Sequence, residues 1–324
     1  MNTCLVTGGA GYIGSHAVAE LNRRGFRTIV IDNLSEGHRE AVFDSPLEVV
    51  DLSDERELER VFDSYQIDGV MHFASLCYVG ESMTDPRKYF EQNLGNALTL
   101  LRVMLRHGVV NFILSSTCAT YGNPLRVPID ESHPQDPVSP YGETKYFIER
   151  ILKHYSRAYG LRFVALRYFN AAGASRDSRL GESHDPETHL IPRVLQAAKG
   201  GGAVDVYGDD YPTPDGSCIR DYIHVEDLAS AHVAALEWLE RTGRSDFFNL
   251  GTGHGYSVKE VIETAKRITG CPIQVRLADR RAGDPPELVA DARKAQDTLG
   301  WKAQYSDLDT IIQTAWQWEL QRRY

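Results

Sequence analysis

The stretch that most constrains this chain is its beginning. Asn2 to Thr7 reads as a short strand, Thr7-Gly8-Gly9-Ala10-Gly11-Tyr12-Ile13-Gly14 as a glycine-spaced turn, and His16 to Arg23 as a helix. Strand, glycine turn and helix in that order are the context a dinucleotide pyrophosphate needs, because the free N–H groups and the dipole at a helix N-terminus favour an anion. Gly8 would make the tight turn, Gly11 would let the backbone approach the phosphates, and Gly14 would let helix and strand pack closely. The next strand, Arg27 to Ile31, ends at Asp32, at the distance expected of the acid that holds the adenosine ribose hydroxyls. A carboxylate there repels a 2′-phosphate, and Asn33 follows rather than Arg, so the expected cofactor is NAD and not NADP.

The following segments alternate. Leu47 to Val50, with Asp51-Leu52 at its end, and Gly69 to Ala74 read as strands. Asp54 to Tyr65 and Pro86 to His107 read as helices, and Asn111 to Ser115 as a further strand. Such alternation implies a parallel sheet covered on both faces. The expected class is therefore α/β, a Rossmann-type doubly wound parallel sheet joined to a smaller α/β substrate-binding domain. His72, inside an apolar strand, reads as a packed core histidine. Asn93, polar amid Phe90, Leu94, Ala97 and Leu98, reads as a contact near the cofactor.

A second motif carries chemistry. Tyr141 and Lys145 stand four residues apart at the start of a helical pattern opened by Pro140, which places both side chains on one face. A neighbouring ammonium stabilises a phenolate, so the pair can make a base. Parallel sheets bind ligands beyond the carboxyl ends of their strands, which puts Thr117, after the strand Phe112 to Ser115, where a substrate would lie. Its hydroxyl can relay a proton or hold a substrate oxygen.

Composition narrows the partners. The formal charge of −10 argues against nucleic acid, whose affinity comes from Lys and Arg on phosphates. Cys4, Cys77, Cys118, Cys218 and Cys271 are scattered, with no CxxC pair and no Cys/His cluster at ligand spacing, so no metal is expected. No basic segment with an apolar run opens the chain and no stretch is long and apolar enough for a bilayer, which gives the expectation of a cytoplasmic protein without membrane contact.

TGGAGYIG, Asp32-Asn33, HFAS followed by VGES, SST.ATYG, SPYGETK and RYFN stand in the order found in the extended short-chain dehydrogenase/reductase superfamily. The later ETHLIP, GDDYPTPDG, CIRDYIHVEDLA, FNLGTG and RRAGDPP resemble its UDP-glucose (UDP-galactose) 4-epimerase branch. The resemblance implies an NAD-binding lobe over residues 1–170, with 222–252 packing back on it, and a UDP-sugar lobe over 171–324. It implies catalytic roles for Tyr141, Lys145 and Thr117. Cofactor contacts would come from Gly8, Gly11, Tyr12, Ile13, Gly14, Asp32, Asn33, Asp51, Leu52, Phe73, Ala74, Ser75, Asn93, Tyr141, Lys145 and Phe169. The UDP-hexose would meet Thr117, Tyr141, Asn170, His189, Leu190, Tyr207, Arg220, Arg281, Asp284 and Leu288. A homodimer through the helices after residues 86 and 140 is implied as well.

Two positions depart from the branch. Cys77 stands where many members have Lys, and the active-site hydroxyl is Thr117 where some have Ser. Leu288 stands where a bulky Tyr goes with restriction to UDP-glucose and UDP-galactose, so 2-acetamido sugars are expected to fit too. A nucleotide-sugar 4,6-dehydratase would need acids after the active-site Thr, where this chain has Cys118 and Ala119. A plain dehydrogenase would give net reduction and release its cofactor, and a non-enzymatic NAD-sensing module would lack the Tyr/Lys pair, which is present.

Overall fold

The computed structural model describes residues 2–200, 202–281 and 284–324. Its centre is a seven-stranded parallel sheet. Six of the strands are β1 (Thr3–Thr7), β2 (Arg27–Asp32), β3 (Leu47–Val49), β4 (Gly69–His72), β5 (Asn111–Thr117) and β6 (Arg162–Tyr168). The seventh, Asp246–Leu250, lies at the edge beside β6, giving the order Asp246–Leu250, β6, β5, β4, β1, β2, β3. The order reverses at β1, which pairs with both β2 and β4, and a crevice for a ligand opens there beyond the strand ends. Every residue of β1 and β4 is buried, as strands covered on both faces require.

Helices fill the two faces. Glu55–Ser64, Asn96–Arg106 and Pro140–Tyr159 build one apolar layer with Leu58, Leu100, Leu101, Ile148 and Leu152 against Leu5, Phe112 and Phe163. Tyr12–Arg23 and Val225–Thr242 build the other with Val18, Leu21, Leu228 and Leu236. Truncating a fully buried leucine such as Leu100 to Ala would cost about 2–5 kcal/mol, since the layer cannot close on the cavity. The helix expected over Pro86 to His107 is a continuous run with a π-helical stretch at Phe90–Gly95 between Pro86–Tyr89 and Asn96–Arg106. Asn93 sits in that stretch.

Pro140–Tyr159 shows why its sequence makes a helix. Ser139 Oγ accepts from the amide of Gly142 at 3.2 Å, Pro140 occupies the first turn, and Gly160 ends the helix in the left-handed region at φ 71°. Beyond β6 the pattern changes. Asn170–Ala172 pairs with Tyr222–His224, Ala203–Tyr207 pairs with Gln274–Ala278, and Ile219–Arg220 lies between Tyr256–Ser257 and Glu287–Leu288. Leu190–Ala198, Val258–Thr269 and Leu308–Gln321 share a separate apolar cluster around Ile191, Val261, Ile311 and Ile312. Trp318 is buried and Trp316 lies against this cluster.

Candidate active site

The turn after β1 is shaped for an anion. Gly8 has φ +70°, and a Cβ on it would lie 2.5 Å from the amide nitrogen of Ala74. The backbone of Phe73 and Ala74 crosses there, both amides donating to Thr7 O at 2.9 and 3.1 Å. A Cβ on Gly14 would lie 2.1 Å from Gly8 O, so the helix can approach the turn only with glycine at this point. Gly11, by contrast, has only Gly8 O near its missing Cβ, at 3.4 Å. Gly11 is the N-cap of Tyr12–Arg23, offers no side-chain cap, and the first turn carries no acidic residue. The amides of Tyr12 and Ile13 are thus left for an external anion.

Asp32 ends β2 with its carboxylate accepting from the amides of Ala10 at 3.0 Å and Leu34 at 2.9 Å. Burial still pushes its pKa up, and a ribose hydroxyl donating to it would favour the charged form. Asn33 Nδ2 donates to Asp51 at 2.8 Å, linking the ends of β2 and β3 into one rim beside the buried Leu52. These residues fit a dinucleotide: free helix amides for its phosphates, an open glycine face, and a carboxylate one strand away.

Two expected cofactor residues have side chains already engaged. Tyr12 donates its hydroxyl to Gly173 O at 2.6 Å, so a contact from this residue falls to its backbone. Asn93 is fully buried; its Oδ1 accepts from Leu76 N at 2.8 Å and its Nδ2 donates to Leu76 O at 3.0 Å and Thr144 Oγ1 at 3.2 Å. Asn93 therefore fixes the loop after β4, which carries Phe73, Ala74, Ser75 and Cys77, to the helix of the Tyr/Lys pair. His72 is a core histidine as expected: its Nδ1 meets Thr7 Oγ1 at 2.8 Å and burial lowers its pKa to about 3.

Thr117, Tyr141 and Lys145 come together where β5 ends. All three are buried. Lys145 Nζ donates to Ser115 O at 2.9 Å, and Thr117 Oγ1 accepts from Ala119 N at 3.1 Å. Burial pushes the Tyr141 phenol well up, and a hydrogen bond with Thr117 is what works the other way. Burial lowers Lys145 to about 8, opposed by Cys77 and Glu149. Within the protein itself burial therefore works against the phenolate.

Sequence reasoning passed over Ser115 and Tyr168, whose hydroxyls meet at 2.9 Å. Ser115 thereby ties Lys145 and Tyr168 together beneath Tyr141. It also passed over a buried ion pair: Arg167 Nη2 lies 2.6 Å from Glu149 Oε2, with side chains 3% and 1% exposed. Ser116 and Gln135 donate to the same carboxylate at 2.6 and 2.9 Å, and Arg167 donates to Tyr121 at 2.8 Å. Alternation makes Ser116 and Arg167 look like ordinary strand residues, so nothing local announces the pairing.

The second lobe gathers the other expected residues. Arg220 Nη2 lies 3.0 Å from Asp284, and its Nη1 donates to Ile219 O at 2.8 Å and Pro285 O at 2.9 Å. Three of its five N–H groups are so used, leaving Nε and one Nη2 hydrogen for a phosphate. The Arg281 guanidinium lies 3.9 Å from the ring centre of Tyr207. Ala282 and Gly283 of the RRAGD stretch lie outside the described residues. Leu288 packs against the cluster of Cys118, Tyr121, Ile129, Phe169 and Ala290, of which Cys118 follows Thr117 in the chain. Asn170 pairs with Tyr222, and His189 caps the helix that Leu190 begins.

The profile of the NAD dependent epimerase/dehydratase family matches residues 4–251. The chain belongs to that family. Among its members, a UDP-glucose 4-epimerase of Halalkalibacterium halodurans is 52% identical over 315 residues, 97% of this chain and 94% of that one. A crystal structure of UDP-glucose 4-epimerase from Brucella ovis in complex with NAD has a TM-score of 0.95 at 51% identity, covering 98% of each chain. That of Bifidobacterium longum in complex with NAD+ and UDP has a TM-score of 0.95 at 40% identity, covering 99% of each. Family membership agrees with the glycine turn and the Asp32 rim, and the full-length match extends the likeness to the second lobe.

Proposed function

We propose that this protein is an NAD-dependent epimerase that interconverts UDP-glucose and UDP-galactose at C4 through a 4-keto sugar. The observation that carries it is the meeting of Thr117, Tyr141 and Lys145 at the end of β5, beside a dinucleotide turn, in a chain 52% identical to a UDP-glucose 4-epimerase. A sugar C4–H is not acidic, so direct inversion is closed, whereas oxidation to a ketone removes the stereocentre. NAD, when bound, supplies the acceptor for the C4 hydrogen and gives the same hydrogen back to either face.

The chain's own residues do the rest. Tyr141, acting as phenolate, takes the proton of the 4′-hydroxyl and becomes phenol, and Thr117 holds the same oxygen and relays the proton. Lys145, fixed by Ser115 O, supplies the positive charge that favours the phenolate before the proton is taken, and would offer a donor to the nicotinamide ribose. The pyrophosphate meets the amides of Tyr12 and Ile13, and Asp32 takes the adenosine ribose. Arg220, Arg281, Asp284 and Tyr207 hold the uridine diphosphate in the second lobe. With the diphosphate gripped and Leu288, Phe169 and Asn170 forming an uncharged wall, the ketohexose can turn over before it is reduced.

We place the lobe division at residue 170, with 222–252 returning to the first lobe, a reading that the pairing of Asp246–Leu250 with β6 supports. We assign a homodimer through the helices after residues 86 and 140, where Phe147 and Tyr159 are exposed. A cytoplasmic setting accords with the five free thiols and with the lack of any helix long and apolar enough to cross a membrane among the described residues.

Incubating the purified protein with UDP-galactose, with no added cofactor, tests the assignment. UDP-glucose should accumulate without free NADH. Release of NADH in step with sugar oxidation, or a requirement for NADP, would overturn it. Sedimentation velocity at micromolar concentration should show a dimer.

A further inference from the structure

Among the described residues, a group of ligating side chains converges on the loop before Leu190–Ala198. Glu182, His184, Glu187 and His189 fall within eight residues of sequence, and one ligating atom from each lies within 4.8 Å of every other. His189 Nδ1 is 2.8 Å from Glu182 Oε1 and 3.0 Å from Glu187 Oε1. His184 Nδ1 is 3.3 Å from Glu182 Oε1 and 3.6 Å from Glu187 Oε2. Nitrogen and oxygen alternate around the ring of four.

Hydrogen bonding and ion pairing can hold this geometry only by sharing protons. An imidazole Nδ1 carries at most one proton, yet each ring faces two carboxylate oxygens with that atom. His184 Nδ1 is buried and has no hydrogen-bond partner, with the ring only 12% exposed. A single positive centre among the four would satisfy all of them. Ligands about 2.0–2.2 Å from a tetrahedral ion stand about 3.3–3.6 Å from one another; the four nitrogen–oxygen separations here run from 2.8 to 3.6 Å, inside a set whose atoms all lie within 4.8 Å of one another, so small shifts would seat an ion.

We propose that Glu182, His184, Glu187 and His189 bind one divalent cation, with Zn2+ the ion best suited. Two imidazoles and two carboxylates in a tetrahedron with no open position make a structural site and not a catalytic one. The surround is already built: the amides of Thr188 and His189 both donate to Glu187 Oε1 at 2.8 Å, which fixes that carboxylate. Trp318 Nε1 donates to Glu182 O at 2.9 Å, anchoring the other end of the loop. All four ligands come from one short loop, so little chain entropy is lost on closing it. The expectation of no metal rested on cysteine and histidine spacing, and carboxylate ligands escape that search.

The ion would lock the loop that leads into His189 and Leu190, at the edge of the sugar cleft. The competing arrangement is two protonated histidines paired with two carboxylates, a neutral quartet with no ion. Tag-free protein, treated with a chelator and exchanged into metal-free buffer, should be titrated with Zn2+ against a chromophoric competitor, and separately loaded with Co2+. We expect one ion per chain, the intense visible bands of tetrahedral cobalt, and a rise in melting temperature. His184→Gln should weaken Zn2+ binding at least about 100-fold and abolish the melting shift. If His184→Gln does not fold, Glu187→Gln serves in its place. Failure to bind at micromolar Zn2+, a pale octahedral cobalt spectrum, or binding unchanged in the variant would overturn the site. None of these readouts depends on epimerase activity.

Discussion

Lys145 Nζ and the carbonyl oxygen of Ser115 lie 2.9 Å apart, so the ammonium of the Tyr/Lys pair is fastened to the strand whose end carries Thr117. Base, hydroxyl and charge are thereby held on two elements that share one apolar layer, and none depends on a mobile loop. Tyr141→Phe should lower kcat by about 10²–10⁴-fold while leaving the fold and retained NAD unchanged. Thr117→Ala should fall in the same direction and Thr117→Ser should recover most of the loss. A drop below tenfold for Tyr141→Phe in a steady-state assay would remove Tyr141 from the proton path.

The lowered pKa of Lys145, about 8, gives a pH signature with a definite sign. An ordinary lysine in the unfolded chain keeps its proton to about pH 10.4, so between the two values the unfolded state binds more protons and folding stability rises with pH. The burial penalty, roughly 3 kcal/mol at most, is fully present below pH 8 and fades toward pH 10.5. Urea titrations across this window should show the slope in wild type and a flatter one in Lys145→Met. Parallel slopes would show that Lys145 is not buried as charged.

Glu149 and Arg167 offer a stability test away from the chemistry. Glu149→Ala leaves a guanidinium buried without its partner, and should cost about 3–5 kcal/mol in equilibrium unfolding. Replacing both partners by apolar residues of similar size should return most of that. A loss under 1 kcal/mol for the single variant would mean that water reaches Arg167.

We propose that substrate breadth turns on Leu288. It packs against the cluster that contains Cys118 and Phe169, and lacks the ring and hydroxyl of tyrosine. We expect UDP-N-acetylglucosamine to be epimerised as well as UDP-glucose. In Leu288→Tyr, kcat/KM for the acetamido sugar should fall about 10–100-fold relative to UDP-glucose, the scale at which a filled pocket discriminates. An unchanged ratio would place the gate elsewhere.

Asp32 was legible because strand, turn and spacing all bear on it at once, and Tyr141 with Lys145 because helical periodicity alone sets their common face. Asn93 was harder to read. A polar residue amid apolar ones marks burial, yet whether it meets a cofactor or, as here, Leu76 and Thr144 depends on which loop crosses it. Glu149 looks like one more charge on a helix surface until β6 brings Arg167 under it. The Glu182 to His189 loop carries no periodicity; the convergence of its four ligating groups depends on backbone turns that no such pattern encodes.

The strand Asp246–Leu250 has a mechanical consequence. The chain leaves the first sheet after β6, builds most of the second lobe, and then returns to form that sheet's edge. Asn170–Ala172 is laddered to Tyr222–His224, and Ile129 bridges Ala290, so the lobes are stitched at several places rather than joined by one hinge. Ties at several places resist the hinge motion by which some proteins clamp shut on their ligands. Under the proposed function, any half-turn of a bound sugar would then fall to the sugar itself.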